Sequence, residues 1–421
     1  MNKVIALLGA LDTKGAEYKF VKDCIEAAGH RTLVIDVGII DPPYFAPDIS
    51  RNEVAKAGDA DISVLARKQD RAESVAAMSR GAAVLLPKLH AEGRFDAILA
   101  LGGTGGTSVA CTAMRTLPLG VPKVMVSTVA GGDVSGYVGI KDIVMIPSIV
   151  DVAGLNRVSR EVFARAASTV CAIAETKVPE GQDKPVIVAS MFGNTTPAVN
   201  HAKGLLDKQG YETLVFHCTG SGGRTMESLV QAGLVTGILD VTTTEWADEL
   251  VGGVLTAGPT RLEAAARAGI PAIVVPGCLD MVNFWAPETV PAKFKGRKFY
   301  QHNPNVTLMR TSVEENQRLG AILAEKVNLS TGPVTVLLPL RGLSMIDSAG
   351  GAFWWPEANE ALFRALKAGL RSDIPVIEMD CVINEPTFAE ACVEHLLQNI
   401  ARKQSSNATQ RRSSAPTPIP A

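Results

Sequence analysis

The chain has 421 residues, which predicts two or three domains at about 150 residues each. An apolar fraction of 47% and a charged fraction of 20% exclude a disordered chain, because burial of that much apolar surface offsets the entropy lost on ordering. The net charge of -2 and the low aromatic fraction of 5% argue against a nucleic-acid partner, and no apolar run reaches the roughly 18 residues of a membrane span. Seven cysteines without a C-x-x-C pair predict buried thiols in a reducing cytoplasm.

The first half alternates short apolar runs with longer helical patterns. Each run is apolar on both faces, which predicts buried strands at 4–10, 32–38, 96–103, 123–128 and 142–148. Apolar residues at helical spacing predict helices at 17–29, 67–92 and 154–177. The first run lacks a small-residue cleavage site behind it, so it is predicted as a strand and not as a signal peptide. This alternation predicts an α/β fold with a doubly wound, mostly parallel sheet.

The pattern restarts after a polar segment with two prolines and a glycine, 178–185, which marks the predicted domain boundary. Strands are then predicted at 186–193, 212–220, 237–243, 272–277 and 334–340, and helices at 195–210, 224–233 and 261–269. The sequence therefore predicts two Rossmann-like subdomains, at 1–180 and 181–403. The Ser- and Pro-rich end, 404–421, has no apolar period and is predicted to be disordered.

Three glycine-rich turns follow predicted strands. Ligands bind beyond the carboxyl ends of the strands in open α/β sheets, and glycine lets backbone amides approach a phosphate closely. These turns therefore predict a site for a phosphate-like anion, with an ordinary turn as the alternative, since none matches a named nucleotide fingerprint. The candidate residues are Gly102, Gly103, Thr104, Gly105, Gly106, Thr107, Gly131 and Gly132 in the first half, and Gly220, Ser221, Gly222, Gly223 and Arg224 in the second.

The first predicted strand ends in a turn that carries an acid, a hydroxyl and an amine, namely Asp12, Thr13 and Lys14. Lys14 suits contact with a phosphate, and Asp12 suits Mg²⁺, either directly or through water. A capped helix start with a solvated lysine is the alternative. Asp36, at the end of the second predicted strand, would hold a ribose if the chain bound NAD.

Two polar clusters in the second half supply candidates for a second ligand site beside the 220–224 turn. Asp280, Asn283 and His302 are predicted to converge over the sheet edge. His302 suits a general base, with a buried, hydrogen-bonded histidine as the alternative. The six histidines lack any metal-ligand spacing, so no metal site is predicted, and no residue is assigned as catalytic.

Eight motifs together resemble one known family, that of the ATP-binding N-terminal region of the tomato mosaic virus resistance protein and its bacterial and fungal relatives. The motifs are LDTKG at 11–15, GGTGGT at 102–107, DVAGLNRVSR at 151–160, MFGNTTP at 191–197, FHCTGSGGRTME at 216–227, DVTTTEWADELVGG at 240–253, LDMVNF at 279–284 and HNPNVTLMR at 302–310. The resemblance implies two Rossmann-like subdomains, a homodimer, and ATP bound with Mg²⁺ at the LDTKG and GGTGGT loops. In the plant protein, this region is associated with binding of a viral replication protein.

Three functions follow as hypotheses. The first is an ATP-binding protein, and specifically an ATP-dependent enzyme acting on a small metabolite at a cleft between the two subdomains. The second is a non-catalytic, nucleotide-gated module for protein interaction, which the plant relative implies. The third is an NAD-dependent oxidoreductase. The expected partners are a small-molecule ligand and a second copy of the chain, with no nucleic acid and no membrane.

Overall fold

The computed structural model describes residues 2–179, 181 and 183–413. The chain divides into two units, Met1–Glu180 and Gly181–Ala421, and the division falls within the polar segment 178–185. Each unit contains a parallel sheet with helices around it, which confirms the predicted α/β fold class.

The first unit is built on a five-stranded parallel sheet. Its strands are β1 (Val4–Gly9), β2 (Arg31–Asp36), β3 (Ala97–Gly102), β4 (Lys123–Ser127) and β5 (Ile143–Pro147). Its helices are α1 (Leu11–Ala27), α2 (Arg51–Ala57), α3 (Ile62–Lys68), α4 (Arg71–Ala91), α5 (Thr104–Met114), α6 (Ser135–Val138) and α7 (Arg157–Glu175). Strand side chains alternate between two cores, so that Ile5 and Leu7 of β1 pack with α1 and α7, while Ala6 and Leu8 pack with α4 and α5. Burial on both faces explains the continuous apolar runs.

The strand order of the first sheet, β2-β1-β3-β4-β5, determines where a ligand site forms. The chain winds outward from β1 in one direction to β2 and in the other direction to β3. The connections on the two sides of this point leave opposite faces of the sheet, which opens a crevice at the carboxyl ends of β1 and β3.

The second unit has a six-stranded parallel sheet, in the order β14-β13-β9-β8-β6-β7, and a three-stranded antiparallel sheet, in the order β10-β12-β11. The strands are β6 (Val186–Met191), β7 (Glu212–His217), β8 (Gly237–Thr242), β9 (Ala272–Gly277), β10 (Met281–Phe284), β11 (Phe299–Asn303), β12 (Val306–Arg310), β13 (Val334–Pro339) and β14 (Val376–Met379). The helices are α8 (Thr196–Lys208), α9 (Ser221–Gln231), α10 (Glu245–Val251), α11 (Glu263–Ala268), α12 (Val313–Asn328), α13 (Pro356–Gly369) and α14 (Pro386–Ser413).

The structure differs from the predicted elements in three places. The predicted helix at 67–92 is two helices, because Gln69 takes a left-handed conformation (φ 51°) that ends α3 and Asp70 then caps the start of α4. The polar stretch 281–310 forms the antiparallel sheet, which was not predicted. Residues 404–413 of the segment predicted to be disordered continue α14, since they contain no glycine or proline, and 414–421 lie outside the described residues.

Two further findings concern the cysteines and possible membrane-spanning helices. All seven cysteines are free thiols, and six of them are buried. Within the described ranges, no helix has the length and apolarity needed to span a lipid bilayer.

Candidate functional site

A cavity of about 690 Å³ lies in the first unit at the carboxyl ends of β1 and β3. All of its lining residues belong to this unit, and both strand ends contribute, through Leu8 and Gly9 of β1 and through Leu101 and Gly102 of β3. Its volume is in the range that holds a drug-sized or cofactor-sized ligand. The cavity therefore occupies the crevice that the strand order opens.

Tyr18 of α1 joins the two strands whose ends line this cavity. Its hydroxyl donates to the carbonyl of Leu8 (2.6 Å) and accepts the N–H of Leu101 (2.7 Å), which bridges β1 and β3 just where their pairing ends. The Tyr18 ring passes over Gly9, where an added Cβ would lie 1.9 Å from Tyr18 Cζ. Burial raises the pKa of the Tyr18 hydroxyl, so it stays protonated and acts as a bridge between the two strands.

The glycine turn at 102–106 forms one wall of the cavity. Helix α5 begins there without a side-chain cap, and the amides of Thr104, Gly105 and Gly106 have no hydrogen-bond partner within the described part of the chain. Gly102, Gly103, Gly105 and Gly106 all line the cavity. An added Cβ on Gly102 would lie 2.9 Å from Gly106 Cα, so only glycine allows the turn to fold this tightly. Free amides and the positive end of the helix dipole together favour an anion here.

Four other candidates from the first half lie outside the cavity lining. Thr107 is buried, and its hydroxyl is 2.6 Å from Ser127 Oγ and donates to the carbonyl of Gly103 (2.8 Å), so it ties α5 to the end of β4. Thr104 is exposed, and Gly131 and Gly132 lie in an exposed turn after β4.

Three residues of the LDTKG segment, Asp12, Thr13 and Lys14, also line the cavity. Asp12 Oδ2 accepts the amides of Ile39 (2.9 Å) and Ile40 (2.8 Å), which attaches the loop after β2 to the start of α1. The other oxygen, Asp12 Oδ1, is buried and has no hydrogen-bond partner among the described residues. Lys14 donates from Nζ to the carbonyl of Val152, and the exposed Thr13 lies beside it at the rim.

Asp36 has a structural position and does not line the cavity. It is fully buried, and its Oδ1 accepts the amides of Leu11 (3.0 Å) and Gly38 (2.8 Å). Burial raises the pKa of Asp36, while the two amides oppose this shift. A ribose hydroxyl has no access to this carboxylate, so the feature that suggested NAD is absent from the cavity.

The junction between α3 and α4 contributes two residues that the sequence analysis missed. Gln69 and Arg71 line the cavity beside the 102–106 turn, and an added Cβ on Gly105 would lie 3.5 Å from Arg71 Nη2. Arg71 has no hydrogen bond or ion pair with any other described residue. The sequence signal that could have located both residues is Asp70, which caps the start of α4 inside the stretch that was predicted to be one helix. A mainly apolar wall completes the cavity, from Leu65, Val75, Met78, Val109 and Ala110.

The glycine turn of the second unit is occupied by a side chain of the same unit. Glu245 Oε1 accepts the amides of Gly220 (2.8 Å) and Gly223 (3.1 Å), and Glu245 Oε2 accepts Arg261 Nε (2.7 Å). Arg261 also forms a two-pronged pair with Asp240, at 2.6 and 2.7 Å. The buried Glu245 carboxylate therefore takes the place that a phosphate would take in this turn. Ser221 and Gly222 belong to the same turn, and Arg224 is exposed to solvent.

The other three second-unit candidates do not converge. Asp280 and Asn283 are fully buried, whereas His302 lies on the exposed strand β11. Asn283 donates its N–H and Nδ2 to Asp248, both at 2.7 Å, and Asp280 Oδ2 accepts the Ser344 hydroxyl at 2.8 Å. Asp280 follows β9, Asn283 lies on β10 and His302 lies on β11, and the side chains of Asp280 and Asn283 bond to different partners.

The described ranges contain no group of three or more His, Cys, Asp or Glu side chains arranged to hold a metal ion. The thiol beside the second glycine turn, Cys218, is fully buried, and burial raises its pKa well above the ordinary value, so it is held as an unreactive thiol.

Comparison with family models identifies both units. Residues 3–179 match the N-terminal domain of "Uncharacterised protein family (UPF0261)", and residues 184–400 match its C-terminal domain. The chain belongs to the UPF0261 family. A UPF0261 protein of Clostridium tetani is 49% identical over 94% of this chain and 99% of its own length, and one of Rhizobium meliloti is 47% identical over 93% and 98%.

Tomato proteins are among the relatives, as the motifs suggested. The ToMV susceptible protein tm-1(GCR26) of Solanum lycopersicum is 36% identical over 93% of this chain, which spans 55% of that protein's length. Among solved structures, a UDP-GlcNAc 2-epimerase of Methanocaldococcus jannaschii aligns over 65% of this chain and 83% of its own at 10% identity, with a TM-score of 0.23, a likeness too weak to support any inference.

Proposed function

We propose that the first unit binds ATP in the cavity at the carboxyl ends of β1 and β3. The observation that carries this proposal is the cavity itself, which lies at the switch point of the sheet and is walled on one side by the uncapped start of α5. Phosphate oxygens would accept hydrogen bonds from the free amides of that turn, and the helix dipole favours the negative charge of the phosphate. Backbone amides of this kind form the core of the cradle, and cationic side chains add to it.

The rest of the cavity suits the other parts of a nucleotide. The apolar wall offers a surface for a purine base, in the usual manner of pockets that are mostly apolar with a few polar groups. Two cationic side chains, Lys14 and Arg71, line the same space and would neutralise phosphate charge. Arg71 is the stronger candidate of the two, because Lys14 already donates to the carbonyl of Val152.

Asp12 is the residue that fits Mg²⁺ in this proposal. Its buried Oδ1 has no hydrogen-bond partner among the described residues, and a carboxylate oxygen is the ligand type that Mg²⁺ prefers. The ion would reduce the charge on the phosphates of a bound nucleotide. The other carboxylate oxygen of Asp12, Oδ2, would keep the loop after β2 in place by accepting hydrogen bonds from the amides of Ile39 and Ile40.

Isothermal titration calorimetry with ATP, with and without Mg²⁺, tests the proposal directly. We expect saturable binding by the full chain that is tighter with Mg²⁺. Arg71→Met should weaken binding at least tenfold, since charge-assisted bonds to phosphate contribute about 1.5–3 kcal/mol each. Arg80→Met, on the exposed side of the same helix, is the matched control and should bind as the wild type does. Absence of binding at millimolar ATP would refute the proposal.

An ATP-dependent enzyme and a non-catalytic interaction module both remain compatible with this site. For an enzyme, Lys14, Arg71 and the α5 amides would act by positioning and charge neutralisation. For the module, the support is that no histidine lines the cavity within the described residues, and that a relative carries the name ToMV resistance protein. Steady release of phosphate by the wild type, lost in Arg71→Met, would favour the enzyme.

Two further expectations belong to this proposal. The homodimer that the family resemblance implies is tested by sedimentation equilibrium of the full chain, where a monomer at micromolar concentration would contradict it. The NAD hypothesis rested on Asp36, whose carboxylate instead accepts the amides of Leu11 and Gly38 away from the cavity. A lack of thermal protection by NADH would rule this hypothesis out.

A further inference from the structure

The carboxyl edge of the second sheet is covered by the capping loop, residues 340–355, which joins β13 to α13. Its backbone is attached to the ends of two other strands: Leu343 O accepts the N–H of Cys278 after β9 (2.9 Å), and Met345 N–H donates to Asn194 O after β6 (3.1 Å). Cys278 takes a positive φ of 58° in making this contact. The loop thus lies over the side of the sheet where open α/β proteins bind ligands. A connection of this length without a helix or strand is usually functional.

Two buried carboxylates hold the capping loop from below. Ser344 Oγ donates to Asp280 Oδ2 at 2.8 Å, which attaches the loop to the segment after β9. Asp347, on the loop itself, accepts the amide of Leu343 (3.1 Å) and Asn359 Nδ2 of α13 (2.7 Å) at its Oδ2. Asp280 and Asp347 are both fully buried. Closure of the loop therefore depends on keeping two acidic groups away from water.

The charges in this cluster do not balance if both acids are ionised. Among the described residues, Arg310 is the one cation facing them, with Nη2 at 3.5 Å from Asp347 Oδ1, and the other titratable neighbour is the buried thiol of Cys278. Asp280 Oδ1 has no hydrogen-bond partner among the described residues. An ionised carboxylate with an unpaired oxygen is costly in a dry interior. The cluster is neutral only if it holds one proton.

We propose that the capping loop is a proton-operated lid over the carboxyl edge of the second sheet: one proton held by Asp280 and Asp347 keeps it closed, and loss of that proton releases it. This mechanism is independent of nucleotide binding in the first unit.

The direction of the pH effect follows from the two states of the lid. In the closed lid, burial and the neighbouring Asp347 carboxylate raise the pKa of Asp280 from 3.8 to about 7. In the open lid, water returns that pKa toward its ordinary value. Closure is therefore fully favoured below pH 4, weakens between about pH 4 and 7, and changes little above pH 7. One proton corresponds to a tenfold rise in the opening equilibrium per pH unit over that window.

Hydrogen exchange of the full chain at pH 5, 6, 7 and 8, corrected for the intrinsic rates, tests this lid. The amides of Leu343, Met345 and Phe353 report its opening, because each is hydrogen-bonded in the closed loop. We expect the protection of these amides to fall about tenfold from pH 5 to 6 and again from 6 to 7, while helix α12 stays protected. Protection that is independent of pH, or that falls equally in α12, would overturn the proposal.

Variants of the cluster distinguish an effect of the one buried proton from a general loosening of the capping loop. Asp280→Asn carries no charge, so its loop should keep the same protection from pH 5 to 8. The matched control is Asp373→Asn, on the exposed surface of the same unit, and it should retain the wild-type pH dependence. If Asp280→Asn does not fold, Ser344→Ala is informative: loss of its hydroxyl should lower protection at every pH and leave the pH slope intact. A wild-type slope in Asp280→Asn, or unchanged protection in Ser344→Ala, would contradict the lid.

Discussion

Replacement of Tyr18 by phenylalanine tests the hydroxyl bridge between the two strands whose ends line the cavity. The change keeps the ring over Gly9 and removes the hydroxyl that bridges β1 and β3. It leaves the N–H of Leu101 and the carbonyl of Leu8 without this partner in a fully buried place. Each unpaired group costs about 1–3 kcal/mol, and the phenol no longer has to be buried, which offsets part of the loss. We expect a net destabilisation of about 2–3 kcal/mol.

Urea denaturation followed by circular dichroism measures this destabilisation, and amide exchange locates it. The midpoint of thermal unfolding should fall by about 5–10 °C for a unit of this size. The N–H of Leu101 should lose protection more than the neighbouring strand amides do. Tyr137→Phe is the matched control, because its half-buried hydroxyl makes no hydrogen bond in the described part of the chain. A stability of Tyr18→Phe within about 0.5 kcal/mol of wild type would refute the bridging role.

Three further predictions address the cavity, the second glycine turn and a buried acid. Gly105→Val directs its methyl groups into the cavity and should reduce ATP affinity at least tenfold by calorimetry, whereas Gly204→Val, where an added Cβ meets nothing, should bind normally. Glu245→Gln leaves Arg261 short of one buried partner and should destabilise the protein by about 3 kcal/mol in urea; unchanged stability would show that the carboxylate is not needed there. Burial raises the pKa of Asp248 to about 7, so it contributes stability below about pH 4 that is lost as the pH rises to 7, roughly 4 kcal/mol at most. Asp248→Asn should lower the slope of unfolding free energy against pH by about one proton in this window, and an unaltered slope would contradict the assignment.

The first sheet shows how much of the fold was readable from the chain. Its five strands coincide with five apolar runs to within two residues, and the inner strands β1 and β3 are almost wholly apolar because they are buried on both faces. The antiparallel strands β10 to β12 were missed, since β11 is mostly exposed and its residues read as a polar loop. The boundary between α3 and α4 was also missed, because a left-handed glutamine has no sequence signature of its own.

The candidate site was predicted in part. LDTKG and GGTGGT line one cavity, as turns after neighbouring strands should, because the carboxyl ends of parallel strands lie at one edge of the sheet. Gln69 and Arg71 were missed because they lie about thirty residues before GGTGGT and more than fifty residues after LDTKG, at a helix start that only packing brings to the cavity. Asp280 lies after β9, as its position in the chain indicated, but it does not meet Asn283 and His302; its neighbours Ser344 and Asp347 lie on the capping loop, far along the chain.

The sequence by itself determined two α/β units and glycine turns at the ends of their strands, because backbone freedom and apolar periodicity are local properties. It did not distinguish the two turns from each other. Tertiary structure left the amides of the first turn free beside a cavity and gave those of the second to Glu245, twenty-two residues beyond Gly223. A local pattern can predict an anion site, but whether the anion is a ligand or a carboxylate of the same chain depends on which distant side chain packs against it.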